Sequence, residues 1–225
     1  EEWTQGIFWG ATTLILAITF MNWFWNRNPL YKIFSFYLAG ASVLMLFMDG
    51  YISAYMFGNL PDFSRVIVAF SSSLMIVSQI YLGIRLLDFN TQHPRVTHYL
   101  GNLAVFILCS PVLALNLSFV YILINCLMGL YFFFNIRLVL ISAYQAWVQR
   151  TPRSTWIFLC FLLVSVFDKG PVLAIIGVLP VQSWTVNLSK IGMLIQILLV
   201  HALLLITMHE QQRAKALVEK ESLMA

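Results

Sequence analysis

The feature that most constrains this chain is a succession of long apolar runs, each closed by charge, Pro or Gly. A helix needs roughly 20 mostly apolar residues to cross a bilayer. Seven runs approach that length: residues 6–25, 31–57, 64–87, 99–115, 118–147, 154–178 and 184–209. The first closes at Asn26-Arg27-Asn28-Pro29, the second at Gly58-Asn59-Leu60-Pro61-Asp62 and the fifth at Arg150-Thr151-Pro152-Arg153. Proline disfavours helix in the residue before it, so these segments read as turns. The fourth run is short and carries Pro111. The runs are continuous rather than alternating every second residue, which excludes a membrane β-barrel. The expected fold class is therefore all-α, a polytopic membrane protein built as a seven-transmembrane helix bundle over residues 1–209. Residues 210–225 read as a cytoplasmic helical linker.

Composition agrees. Of 225 residues, 60% are hydrophobic and 10% charged, against roughly 45–50% and about 25% in a soluble domain. A soluble fold of this size has too much surface to hide so much apolar side chain. Disorder, nucleic-acid binding and a disulfide scaffold are excluded as the main reading. Cys109, Cys126 and Cys160 lie within apolar runs and read as small buried hydrophobes. No residue spacing points to a metal site, and no cofactor is expected.

The formal charge of +4 is explained by topology. With the N-terminus outside, Arg27, Lys32, Arg85, Arg95, Arg150, Arg153, Arg213, Lys215 and Lys220 fall on the inner side, and only Arg65, Lys169 and Lys190 on the outer. Cytoplasmic loops carry the excess of Lys and Arg, so the N-terminus is placed outside and the C-terminus inside. Glu1 stands where Met begins a full chain, and the chain is expected to be part of a longer one.

Charges within a membrane are costly and mark cavities or partners. Asp168 and Lys169 stand inside the sixth run, followed by Gly170-Pro171. Two readings fit: a helix broken by Gly-Pro beside a wet cavity, or a span that ends near Phe167 with the pair in an outer loop. Lys190 lies near the outer end of the seventh run, and Asp49-Gly50-Tyr51 interrupts the second, with Tyr55 one turn on. Asp49 is placed to pair with Lys190, Lys169 or Arg65, while Tyr51, Tyr55, Tyr121 and Trp184 could form an outer ligand pocket or an aromatic belt. Gln79, Asn102, Asn125, Asn135 and Gln196 are accounted for by interhelical hydrogen bonds. Arg137 is placed to reach the inner interface. His201 is a lone mid-span histidine.

The loops and last spans carry a resemblance. The segments NRNPLYKIFSFYLAG (26–40) with DGY (49–51), GIRLLDFNTQHPRVTHYL (83–100), DKGPVLAIIGVLP (168–180) and LSKIGMLIQILLVHALLLITMHEQQR (188–213) are similar to the membrane domain of bacterial seven-transmembrane receptors with diverse intracellular signalling modules. The resemblance covers residues 6–213. One departure is Gln196, where the family often has Glu.

The resemblance implies a receptor in the bacterial inner membrane, N-terminus periplasmic. A periplasmic sensor domain would precede the bundle, and a histidine kinase or diguanylate cyclase would follow. The segment itself would not be an enzyme. A homodimer, contacts with membrane lipid, no nucleic acid and a small-molecule ligand are the expected partners. The expected ligand-binding or switch residues are Asp49, Tyr51, Tyr55, Arg65, Tyr121, Asp168, Lys169 and Lys190. The expected transmission residues are Gln196, Arg213, Leu217 and Lys220. The competing readings are a small transporter or channel, against which no internal repeat is found, and a retinal photoreceptor. The latter would use Lys190 as its Schiff-base lysine, yet the third run has no acid between Ser64 and Leu87 to serve as counter-ion.

Overall fold

A computed structural model describes residues 2–49, 61–89, 94–115, 117–175 and 190–209. Every element among them is helical: α1 Glu2–Asn26, α2 Pro29–Met48, α3 Pro61–Leu86, α4 Pro94–Cys109 continued by a 3₁₀ segment Ser110–Leu115, α5 Leu117–Gln149, α6 Pro152–Ile175 and α7 Lys190–His209. Five of these, α1, α2, α3, α5 and α7, are long and apolar enough to cross a membrane. The chain divides into two compact units, Glu1–Ile141 and Ser142–Ala225.

Several boundaries depart from the hydropathy reading. Helix α4 starts at Pro94 rather than near Tyr99. Proline suits a first helical position, because the N–H it lacks would have had no helical acceptor there. Further on, Pro111 cannot donate to the Ile107 carbonyl, and the α-helix gives way to the tighter 3₁₀ form. The Ser110 hydroxyl takes over that acceptor, donating to Ile107 O at 2.7 Å. Sixteen α-helical residues and six in 3₁₀ form together reach about 36 Å at about 1.5 and 2.0 Å per residue. That is enough to cross a hydrocarbon core of about 30 Å. Helix α2 closes at Met48, earlier than the hydropathy run, with the Asp49 backbone N–H donating to Met45 O at 2.9 Å.

Two connections are built alike. After α1, Arg27 takes the left-handed conformation (φ 48°) and its N–H donates to Trp23 O at 2.9 Å. Asn28 then caps α2, its side chain accepting from the Leu30 N–H at 2.9 Å, and Pro29 opens the helix. After α5, Arg150 (φ 51°) donates to Ala146 O at 3.1 Å, the Thr151 hydroxyl accepts from the Ser154 N–H at 3.2 Å, and Pro152 opens α6. The cap residue and the proline enforce a two-residue reversal in both places. Around the first turn, Lys32 Nζ lies 5.9 Å from the centre of the Trp23 ring, and Trp23 packs 6.2 Å from Phe36.

In the first unit α3 is central. It packs against α2, α4 and the 3₁₀ segment, while α1 lies along α2. The fully buried side chains come from α2 (Tyr31, Phe34, Leu38), α3 (Ile76, Ile80, Leu82), α4 (Ile107) and α5 (Leu127, Leu138). At Gly40 the α2 and α3 backbones nearly touch: a Cβ there would stand 3.0 Å from Ser71 O and 3.1 Å from Met75 N. Small residues at such crossings are how membrane helices gain packing contacts without a hydrophobic drive between them. In the second unit, Ile157, Cys160 and Phe161 of α6 are buried, as are Met193, Gln196, Ile197, Val200, Leu203, Leu204 and Thr207 of α7. The α7 set recurs every three or four residues, the spacing of one helix face.

The outer surfaces are apolar. Ile7, Leu14, Met21, Phe24 and Trp25 of α1 are exposed, as are Ile122, Phe133, Leu140 and Trp147 of α5. In water such patches drive association; on membrane-length helices they face lipid. Some hydroxyls within the spans bond to their own helix, as Ser35 does to Tyr31 O (2.8 Å) and Thr207 to Leu203 O (2.9 Å).

Candidate functional site

A buried polar contact of the first unit lies between α3 and α5. Gln79 Nε2 donates to Asn135 Oδ1 at 2.6 Å, across 56 residues of sequence. Both side chains are 1% exposed. One turn further along α3, Gly83 lets the Leu138 methyls in: a Cβ on Gly83 would sit 2.8 Å from Leu138 Cδ2. Towards the start of both helices, Ala69 packs against Leu123. The three pairs advance together along both helices, so α3 and α5 run parallel. Fourteen residues of α3 separate Ala69 from Gly83, about 21 Å at about 1.5 Å per residue. Two parallel neighbours require the chain between them to return, and α4 with its 3₁₀ extension supplies that return.

Helix α3 is unusually polar for a buried helix. Ser71, Ser72, Ser73 and Ser78 are all buried with it. The Oγ atoms of Ser72 and Ser73, Gln79 Oε1 and Asn135 Nδ2 have no hydrogen-bond partner. Sequence reading gave five span amides the same interhelical role. The structure pairs Gln79 with Asn135, while Asn125 is exposed and Asn102 sits with His98 on the α4 surface (3.4 Å between Nδ2 and Nε2). Arg137 corrects a further expectation. Its guanidinium lies 5.1 Å from the centre of the Phe133 ring, one turn towards the start of α5, instead of reaching for the inner end. Helical side chains tilt towards the N-terminus, which favours that direction.

Asp49, half-buried, caps α2 nine residues beyond Gly40. Arg65 is the fifth residue of α3, six before Ser71, and Tyr121 is the fifth of α5. Because α3 and α5 are parallel, Arg65 and Tyr121 lie at the same end of their unit. Tyr51 and Tyr55 fall outside the described residues.

In the second unit, α6 and α7 meet at Phe167 and Gly192. A Cβ at Gly192 would collide with Phe167 Cβ and stand 3.4 Å from its Cα. This contact places the turn holding Asp168 and Lys169 beside the first turn of α7, which begins at Lys190. Gln196 follows Gly192 by one turn and is 3% exposed. Both sequence readings of the Asp168 region are corrected: the helix neither ends near Phe167 nor breaks at Gly170-Pro171, but continues to Ile175. Pro171 withholds one N–H from the Phe167 carbonyl, a loss that membrane-spanning helices tolerate. Arg213, Leu217 and Lys220 lie outside the described residues.

The glycine contacts went unread at the sequence level. Their signal was available: Gly40, Gly83 and Gly192 are small residues set among large apolar ones, the mark of close helix crossings.

Membrane-length apolar helices, apolar outer surfaces and buried interhelical amides define a polytopic α-helical membrane protein. Over residues 1–206 the chain matches the family described as 7TM diverse intracellular signalling, and it belongs to that family. No curated protein and no solved structure matches it. The resemblance read from the loop segments is thereby confirmed, and the chain is a membrane domain of a signalling kind.

Proposed function

We propose that this domain is the transmembrane receptor of a bacterial sensor, placed in the inner membrane with its N-terminus periplasmic, and that it relays a periplasmic or intramembrane ligand signal to a cytoplasmic histidine kinase or diguanylate cyclase. The family match over residues 1–206 carries this reading. The bundle acts as a two-state element whose populations a ligand shifts. The input groups are Asp49 with Tyr51, Tyr55, Arg65 and Tyr121, and Asp168 with Lys169 and Lys190. Support for the second group is the Phe167–Gly192 contact, which joins the two helices that carry these residues. Gln196, on the buried face of α7, and Arg213, Leu217 and Lys220 beyond it carry the shift to an output module. A homodimer suits outputs that act in pairs.

The test is to read the coding sequence beyond Ala225 and assay the full-length protein in lipid nanodiscs with ATP and with GTP. A kinase or cyclase domain, with phosphohistidine or cyclic dinucleotide formed, is the expected result. A stop codon directly after Ala225 would overturn the relay.

A further inference from the structure

The Gln79–Asn135 pair is poorly made for holding a protein together. Two primary amides offer two carbonyl acceptors and two NH₂ donors. Here one N–H meets one carbonyl at 2.6 Å, and the remaining ends, Gln79 Oε1 and Asn135 Nδ2, are buried without a partner. Exchanging O and N in both amides gives the same single bond reversed, so the deficit belongs to the placement of the two helices. Buried polar groups left unpaired are costly, most of all where no water reaches. Apolar side chains of similar size would avoid that cost, and large buried neighbours such as Ile76, Ile80 and Leu138 are apolar.

The surroundings allow a second placement. Gly83 carries no side chain where it opposes Leu138, and the nearest atoms a Cβ there would meet belong to the flexible end of the Leu138 side chain and not to a backbone. No rigid stop therefore stands at this contact against a small turn or slide of one helix on the other. Such a shift would bring the free carbonyl of Gln79 towards the free NH₂ of Asn135 and give the pair its second bond. Ser72, two turns before Gln79 and so on the same α3 face, adds another unpartnered hydroxyl to this seam.

We infer that Gln79 and Asn135 are a signalling latch between α3 and α5, an under-bonded amide pair kept for switching between two placements of the helices and not for stability. This rests on the receptor reading above and names where in the first unit the two states differ. The residues act as positioning residues, through the two helices they join.

A double-mutant cycle in the full-length protein tests it. Gln79→Leu, Asn135→Leu and the double variant are compared in lipid nanodiscs for thermal unfolding and for basal output. Each single variant strands a whole amide and melts below the native protein. The double variant melts at or above the native temperature, while its basal output shifts about fivefold or more, the lower end of ordinary allosteric coupling. The swap Gln79→Asn with Asn135→Gln keeps an amide pair and retains more of the native output than the double leucine variant. A double variant less stable than either single variant, or failing to fold, would show that the pair is structural glue and overturn the inference. So would a stable double variant with native output. A native chain that forms neither phosphohistidine nor cyclic dinucleotide sinks the receptor reading first. An active native chain beside an unaltered double variant sinks the latch alone.

Discussion

A Cβ built on Gly40 would stand 3.0 Å from the backbone oxygen of Ser71, so α2 rests directly on the α3 main chain. Backbone atoms within a helix cannot swing aside as a side-chain tip can. In an open helix position, Gly→Ala gains about 1 kcal/mol. Gly40→Ala is therefore expected to lower the melting temperature, and Gly40→Leu to cost about 1–3 kcal/mol as the helices are forced apart. Gly10, with nothing within 4 Å, is the control: Gly10→Ala keeps or raises it. Thermal unfolding in one detergent compares all three, and equal behaviour of Gly40→Ala and Gly10→Ala would disprove the close crossing.

Gly192 makes the corresponding test in the second unit. Alanine there collides with Phe167, so Gly192→Ala is expected to destabilise by about 1–3 kcal/mol. Trimming the obstacle should restore part of the loss: adding Phe167→Ala to Gly192→Ala costs less than the two single losses summed, a coupling that contacting residues show. Strict additivity in unfolding measurements would place the two residues apart.

The turns at Arg27 and Arg150 hold non-glycine residues in the left-handed region, at about 1–2 kcal/mol each. Arg150→Gly relieves that cost and loses about 0.4–1 kcal/mol to the freer unfolded chain, so its stability should equal or exceed the native value. Arg150→Val, β-branched, should be clearly worse. Beside it, Thr151→Ala removes the cap on the Ser154 N–H and should cost about 1 kcal/mol. Melting curves that rank valine with glycine would contradict the turn geometry.

Asp168→Ala and Lys169→Ala probe the proposed input group. Their helical turn lies beside the start of α7, and changing a charge there is expected to alter basal output while the amount of protein in the membrane stays the same. Quantified membrane fractions and output assays on the full-length protein decide this. Native output at native abundance removes both residues from the switch.

Much of this architecture is already written in the order of the residues. The turn at 26–29 and that at 150–153 are legible because Asn or Thr before Pro specifies a cap and a first helical residue locally. The apolar runs fix the helices and the medium, since only lipid tolerates so much apolar surface on so few residues. Gly170-Pro171 misled for the same local reason: a proline disfavours helix by its own chemistry, yet α6 continues to Ile175. Pairings were out of reach. Gln79, Asn102, Asn125, Asn135 and Gln196 are alike as sequence, and which two bond depends on α3 and α5 running parallel across 56 residues. The buried face of α7 was equally silent, because a uniformly apolar run has no period to read. Sequence determined which segments become helices and where they turn, through forces that act within a few residues. Tertiary structure alone decided which amide meets which and which glycine admits a neighbour, because those contacts depend on how separate helices pack.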